Sequence, residues 1–275
     1  MGVLLQRILT GAALAAGAAA AVFWLATPGF ALAAGAVILG GAWEWARLCG
    51  WESPWARSAY VLALAGVMLA TLIAGEPGGY PVLVALGLGW WLVALGVVVR
   101  YQRRGEGLPG GRVARALAGA LTLVPAWAAL VDLHGRPNGA EWLLLLALVT
   151  WGADTAAFFV GRRWGRRRLA SRVSPGKSWE GVGGGVIAAL AAALAGAVLL
   201  GWPADRLAGL AVLASLTAAA SVLGDLSESL FKREAGVKDS GQLLPGHGGL
   251  LDRIDSLTAA APIFAIGLRC LAERS

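Results

Sequence analysis

The chain has 275 residues, 58% of them hydrophobic and only 14% charged, with a formal net charge of +7 and a mean hydropathy of +0.69. Soluble domains carry about 25% charged and roughly 45–50% apolar residues, so a water-facing fold is excluded and lipid has to be the solvent. The basic excess does not point to nucleic acid, because the arginines flank apolar runs, where topology and anionic lipid explain them.

Runs of about 20 apolar residues recur at 8–26, 29–47, 58–75, 80–99, 113–131, 141–160, 182–202, 206–224 and 251–271. The first, with Arg7 ahead of an Ala-rich segment, could pass for a secretory signal. Its length from Ile8 to Ala26 is that of a membrane span, so it is read as a helix retained in the mature protein. Nothing alternates like a barrel strand, and backbone groups in lipid must be satisfied internally, so the spans are helices. The expected fold is all-α, a polytopic integral membrane protein with about nine transmembrane helices. It divides into N-terminal helices over 1–135 and a catalytic region over 136–275, with cytoplasmic loops 161–181 and 225–253.

Small residues suit close helix packing in lipid, and the 40 glycines are interleaved with Leu and Val rather than gathered in a linker. Trp24, Trp43, Trp45, Trp51, Trp55, Trp142, Trp179 and Trp202 stand near the ends of apolar runs and are expected to anchor in the headgroup region. Trp90 and Trp91 lie inside a run and read as packing. Cys49 and Cys270, with His134 and His247, do not make a structural zinc site.

Arg100, Arg103, Arg104, Arg112 and Arg115 form the first basic segment, and the arginines of 161–180 with Lys177 form the second. Lys232, Arg233, Lys238 and Arg253 form the third. Nine spans put all three on one side, which the positive-inside rule assigns to the cytoplasm, leaving the C-terminus outside. No loop exceeds about 30 residues, so catalysis must be assembled from loops and helix ends.

Two of these segments are too specific in composition to be connectors alone. In the first, Asp154 lies inside a span, where an acid is costly and functional by default, although a structural partner would also explain it. Ser174, Lys177 and Ser178 follow in the loop, and Glu44 between Trp43 and Trp45 is a further acid near a cytoplasmic helix end. In the second, Asp225 closes one span and Asp252 opens the next, so both sit at the cytoplasmic boundary. A helix continued past Asp225 would put Ser229 and Lys232 on its face, as Asp252 and Asp255 share theirs. Two carboxylates under a cationic loop suit Mg²⁺, which takes oxygen ligands and shares substrate phosphates. The run through His247, Gly248 and Gly249 could form an anion-binding nest, though such a run alone is ordinarily a turn. A lone acid at a helix end is ordinarily a solvated loop end.

The stretch from Ser229 to Asp255, with Phe231-Lys232-Arg233, Lys238-Asp239, Gly241, Leu244-Pro245, His247-Gly248-Gly249-Leu250 and Asp252-Arg253-Ile254-Asp255, resembles the signature of the phosphatidate cytidylyltransferases, the CDP-diacylglycerol synthases. The block from Ser174 to Gly181, the Asp154 segment and Trp43-Glu44-Trp45 extend the resemblance over most of the chain, with Ser178 where Thr is more usual. The resemblance implies that CTP and phosphatidic acid are converted to CDP-diacylglycerol and pyrophosphate, with Mg²⁺, a monovalent cation as a candidate second ion, and a homodimer. It gives Asp225 and Asp252 metal roles; Lys232, Arg233 and Lys238 would meet phosphates, and Asp239 and Asp255 would assist the ligands. His247 would orient a phosphate or carboxylate, while Asp154, Ser174, Lys177, Ser178, Ser229, Gly248, Gly249 and Arg253 would line the substrate pocket. The expected setting is the bacterial inner membrane, multi-pass, with the site facing the cytoplasm. A CTP-dependent polyprenol-type kinase and a non-enzymatic lipid or anion transporter are the competing readings.

Overall fold

The computed structural model describes residues 3–74, 79–244, 246 and 248–272. Its helices, in chain order, are α1 (Val3–Trp24), α2 (Thr27–Leu48), α3 (Pro54–Ala74), α4 (Gly79–Arg104) and α5 (Gly111–His134). They continue as α6 (Gly139–Trp164), α7 (Trp179–Leu199), α8 (Leu207–Glu234) and α9 (Leu251–Ala272). Among the described residues α2 to α9 are each long and apolar enough to cross a membrane. This is a polytopic α-helical membrane protein, as the composition requires.

α5 is the pillar of the bundle. It is buried along most of its length between Ala116 and Leu133, and aromatic donors from neighbouring helices close on it. Trp45 Nε1 donates to the Arg115 carbonyl, the Tyr60 hydroxyl to the Ala116 carbonyl, and Trp90 Nε1 to Thr122 Oγ1, each at 2.9 Å. Trp127 Nε1, on α5 itself, reaches the Ala31 carbonyl at 2.9 Å. A polar N–H in a lipid-solvated core has no water to turn to, so these pairs fix which helix faces meet.

Glycine sets the closest contacts. A Cβ on Gly181 would stand 2.8 Å from the Ala157 carbonyl oxygen, and one on Gly185 2.9 Å from that of Ala153. The backbones of α6 and α7 therefore touch, in the manner of small residues spaced at helical intervals in membranes. A Cβ on Gly224 would overlap the Asp255 carbonyl oxygen, so α8 and α9 meet at the level of the acids they carry.

The two ends of the bundle differ in chemistry. At one end Gln102 Nε2 donates to Ser171 Oγ at 3.2 Å, Arg233 Nε to the Val173 carbonyl at 3.3 Å, and Arg115 pairs with Glu234 at 3.4 Å. These contacts tie all three basic segments to one face. At the other end Asp132 pairs with Arg136 and Arg269, His134 Nδ1 lies 3.1 Å from Thr27 Oγ1, and Trp142 packs edge-on against Trp202.

Three sequence expectations change. The segment 225–253 does not begin as a loop, because α8 runs on to Glu234 and keeps Asp225, Ser229 and Lys232 helical. The loop 161–181 contains an antiparallel hairpin of β1 (Arg168–Ala170) and β2 (Ser174–Ser178), whose short strands leave no hydrophobic signature. Trp45 and Trp142 are 1% and 6% exposed, so they pack in the core rather than anchor at the interface. Trp24 and Trp55, at 83% and 85% exposed, fit the anchoring role, and the buried pair Trp90 and Trp91 fits packing.

Candidate active site

The site forms where α8, α9, the hairpin and the inner ends of α6 and α2 meet. α8 carries Asp225, Glu228, Ser229 and Lys232 at helical spacings of three and four, so they rise along one stripe. Its extra turns beyond the apolar span are stabilised by the pair Lys232–Glu228 at i, i+4 and by basic side chains at the helix's C-terminal end.

Two lysines organise the acids. Lys177 Nζ, on β2, lies 2.6 Å from Asp225 Oδ2, and Ser229 Oγ donates to Asp225 Oδ1 at 3.2 Å. Lys232 Nζ lies 2.6 Å from Asp252 Oδ1 and 2.9 Å from Glu228 Oε2. Asp255 stands between the two pairs, within electrostatic range of Glu228, Asp225 and Lys232. Asp154 stands about ten positions before the end of α6, roughly 15 Å along the helix from it, and lies within electrostatic range of Lys177 and Asp225, near Ser256 and Ser221. Asp154, Asp225, Asp252, Asp255, Lys177 and Lys232 thus share one cluster.

Asp252 Oδ2 is held by three donors: Ser240 N at 3.0 Å, Ser240 Oγ at 2.9 Å and Gly249 N at 3.1 Å. The Gly249 N–H is therefore engaged with Asp252 rather than turned out toward an anion. Gly248 has φ +86°, a left-handed conformation that favours glycine, and its carbonyl accepts from Leu244 N at 3.0 Å to close the turn. Ser178 is 3% exposed and caps α7, its Oγ accepting from Gly181 N at 3.1 Å. Ser174 pairs with Ala170 at the start of β2. Arg233 clasps the hairpin, and Lys238, Asp239 and Arg253 are exposed at the rim. His247 lies outside the described residues.

Two acids carry more than sequence reasoning gave them. Glu228 is 2% exposed, bonds Lys232, and has Oε1 buried without a hydrogen-bond partner. Its signal was available, since it stands three residues after Asp225 and four before Lys232. Glu44 is 2% exposed, and its Oε2 accepts from Ser240 Oγ at 3.0 Å and Leu251 N at 2.9 Å. Only the fold reveals those partners, because they lie 196 and 207 positions away in the chain.

A multi-span bundle whose one polar end gathers buried carboxylates under lysines defines a membrane-embedded enzyme acting on anionic substrates at the lipid surface. The model of the cytidylyltransferase family matches residues 5–271, and the chain belongs to that family. The chain is 46% identical to a phosphatidate cytidylyltransferase of Pseudomonas aeruginosa, over 94% of this chain and 95% of that one. It is 40% identical to a phosphatidate cytidylyltransferase of Haemophilus influenzae, over 94% of this chain and 96% of that one. A Synechocystis protein of the same name is 47% identical over 46% of this chain and 43% of its own.

Proposed function

We propose that this chain is a phosphatidate cytidylyltransferase, working at the cytoplasmic face of a bacterial inner membrane and converting CTP and phosphatidic acid to CDP-diacylglycerol and pyrophosphate. The observation that carries the reading is the double pair Lys177–Asp225 and Lys232–Asp252 at the basic end of the bundle. It supplies matched cations and carboxylates where a nucleotide from water and a phosphate from lipid can meet. The clustering of the basic segments at the same end supports the cytoplasmic orientation.

The chemistry asks little of a general base. The phosphate monoester of phosphatidic acid has a second pKa of about 6 and is already largely dianionic at neutral pH. One of its oxygens forms the new bond to the α-phosphorus of CTP, the bond from that phosphorus to the bridging oxygen breaks, and that oxygen leaves on pyrophosphate. Positioning and charge neutralisation then dominate. Lys177 and Lys232, drawn from different elements, would hold the phosphates of the two substrates, with Arg233, Lys238 and Arg253 adding positive charge around the mouth.

The residues fit a magnesium ion completed by substrate. Among the described residues no three His, Cys, Asp or Glu side chains form a preformed metal cage. Mg²⁺ does not require one, since one or two carboxylates plus phosphate oxygens suffice. Asp225 and Asp252 would be those carboxylates, and the ion would supply Lewis-acid charge to the triphosphate. A monovalent second ion belongs to this reading on the family resemblance alone. No step in the transfer depends on such an ion. A homodimer belongs to the same reading on the family resemblance alone.

The decisive experiment incubates the purified protein in detergent with phosphatidic acid, Mg²⁺ and CTP labelled at the α-phosphate. Label recovered in lipid as CDP-diacylglycerol supports the reading. Phosphorylated lipid without the label points to a CTP-dependent kinase, and no CTP-dependent product points to a transporter.

A further inference from the structure

We propose that Glu44, on α2, is a positioning residue that aims the Asp252 carboxylate, an inference resting on the cytidylyltransferase reading above. Glu44 is far from the signature segment in sequence, yet its side chain is buried beneath it. Oε2 accepts from Ser240 Oγ at 3.0 Å and from Leu251 N at 2.9 Å, while Ser240 Oγ also lies 2.9 Å from Asp252 Oδ2. A hydroxyl has one proton to donate, so the two carboxylates compete for the same Ser240 hydrogen. The Leu251 N–H belongs to the first turn of α9, where backbone donors lack intrahelical partners and negative charge is favoured. Glu44 therefore caps α9 from another helix, one residue before Asp252.

The surrounding backbone is shaped to the carboxylate. A Cβ on Gly241 would overlap Glu44, and one on Gly249 would stand 2.7 Å from Glu44 Oε2 and 2.8 Å from Asp252 Oδ2. Gly241 and Gly249 thus let the backbone at their positions approach both acids. The consequence is mechanical: the Ser240 N–H donates to Asp252 Oδ2, its one hydroxyl hydrogen is shared between Asp252 Oδ2 and Glu44 Oε2, and Glu44 also holds the start of the helix through Leu251 N. With Oδ2 fixed, Oδ1 keeps its place against Lys232.

The test compares wild type with Glu44→Gln, Ser240→Ala and the double variant, by steady-state kinetics and by hydrogen exchange in detergent. Glu44→Gln should lower kcat by about 10- to 100-fold, the scale of an active group displaced by roughly an ångström, with KM for CTP within about threefold. The double variant should lose about as much as the worse single variant, because both act through one linkage. Exchange should accelerate in peptides covering Ser240 and Leu251 and stay unchanged across α6 and α7. Unaltered exchange at Ser240 and Leu251, a kcat within twofold of wild type, or faster exchange throughout the bundle would each overturn the proposal. Wild-type protein lacking cytidylyl transfer would sink the functional reading instead, and the exchange comparison would still decide whether Glu44 holds the loop.

Discussion

The Lys177 ammonium stands 2.6 Å from the Asp225 carboxylate, joining the hairpin after α6 to the inner turns of α8. Arg233 Nε adds a second polar tie between α8 and the hairpin, at the Val173 carbonyl. The contact brings a cation from one basic segment onto an acid from another.

Lys177→Ala is expected to remove activity without unfolding the protein. Its side chain and that of Asp225 are 21% and 31% exposed, so the pair is partly screened and contributes about 1 kcal/mol or less to stability. Loss of one preorganised charge at the reacting phosphates should lower CTP-dependent product formation by about 100- to 1000-fold. Turnover measured beside a thermal unfolding scan checks this, and near wild-type turnover would remove Lys177 from the site.

Lys232→Ala should behave differently. Its ammonium serves two carboxylates at once, and Glu228 and Asp252 are 2% and 11% exposed. Removing one partner of a buried ion pair costs about 3–5 kcal/mol, because the remaining charge is left uncompensated. Both the unfolding midpoint and activity should fall, and the activity should not return at lower temperature.

Gly224→Ala should separate α8 from α9, since the added methyl would overlap the Asp255 backbone oxygen, which has no side-chain freedom to yield. Overpacking of this kind costs about 1–3 kcal/mol and would displace Asp225 relative to Asp255. Gly66→Ala on α3 is the control, because nothing lies within 4 Å of its Cβ position. An equal loss in both variants would contradict the close contact between α8 and α9.

Thiol labelling tests the orientation. Cys270 is exposed near the end of α9, opposite the acid cluster, whereas Cys49 is buried just after α2. Burial pushes the Cys49 thiol up to about 12, so it has little reactive thiolate at neutral pH. A membrane-impermeant maleimide should label Cys270 in spheroplasts and leave Cys49 unmodified. Labelling of Cys270 only in inverted vesicles would reverse the assignment of sides.

Most of the candidate site could be located from sequence because its residues fall in two short polar segments. Asp225, Lys232, Asp252 and Asp255 flank apolar spans, and Asp154 interrupts one, so their placement at one membrane face follows from hydropathy alone. Pairing was not legible. Nothing in the order of residues says that Lys177 meets Asp225 while Lys232 meets Asp252, since charged partners come from different elements. Gly249 also looked like an anion-binding donor by composition, but the folded loop turns its N–H onto Asp252. Ser178 reads equally as a ligand or a cap until Gly181 is seen to donate to it.

By itself the sequence determined the solvent, the number of apolar runs and the side on which the basic segments gather. Those depend on transfer of whole side chains between water and lipid, and such terms add along the chain regardless of which helices touch. Only the tertiary structure decided that Lys177 meets Asp225, that Gly224 brings α8 against α9, and that Glu44 reaches Ser240 and Leu251. These are contacts between distant segments, governed by distance and direction at the scale of a single hydrogen bond, and a linear pattern carries neither.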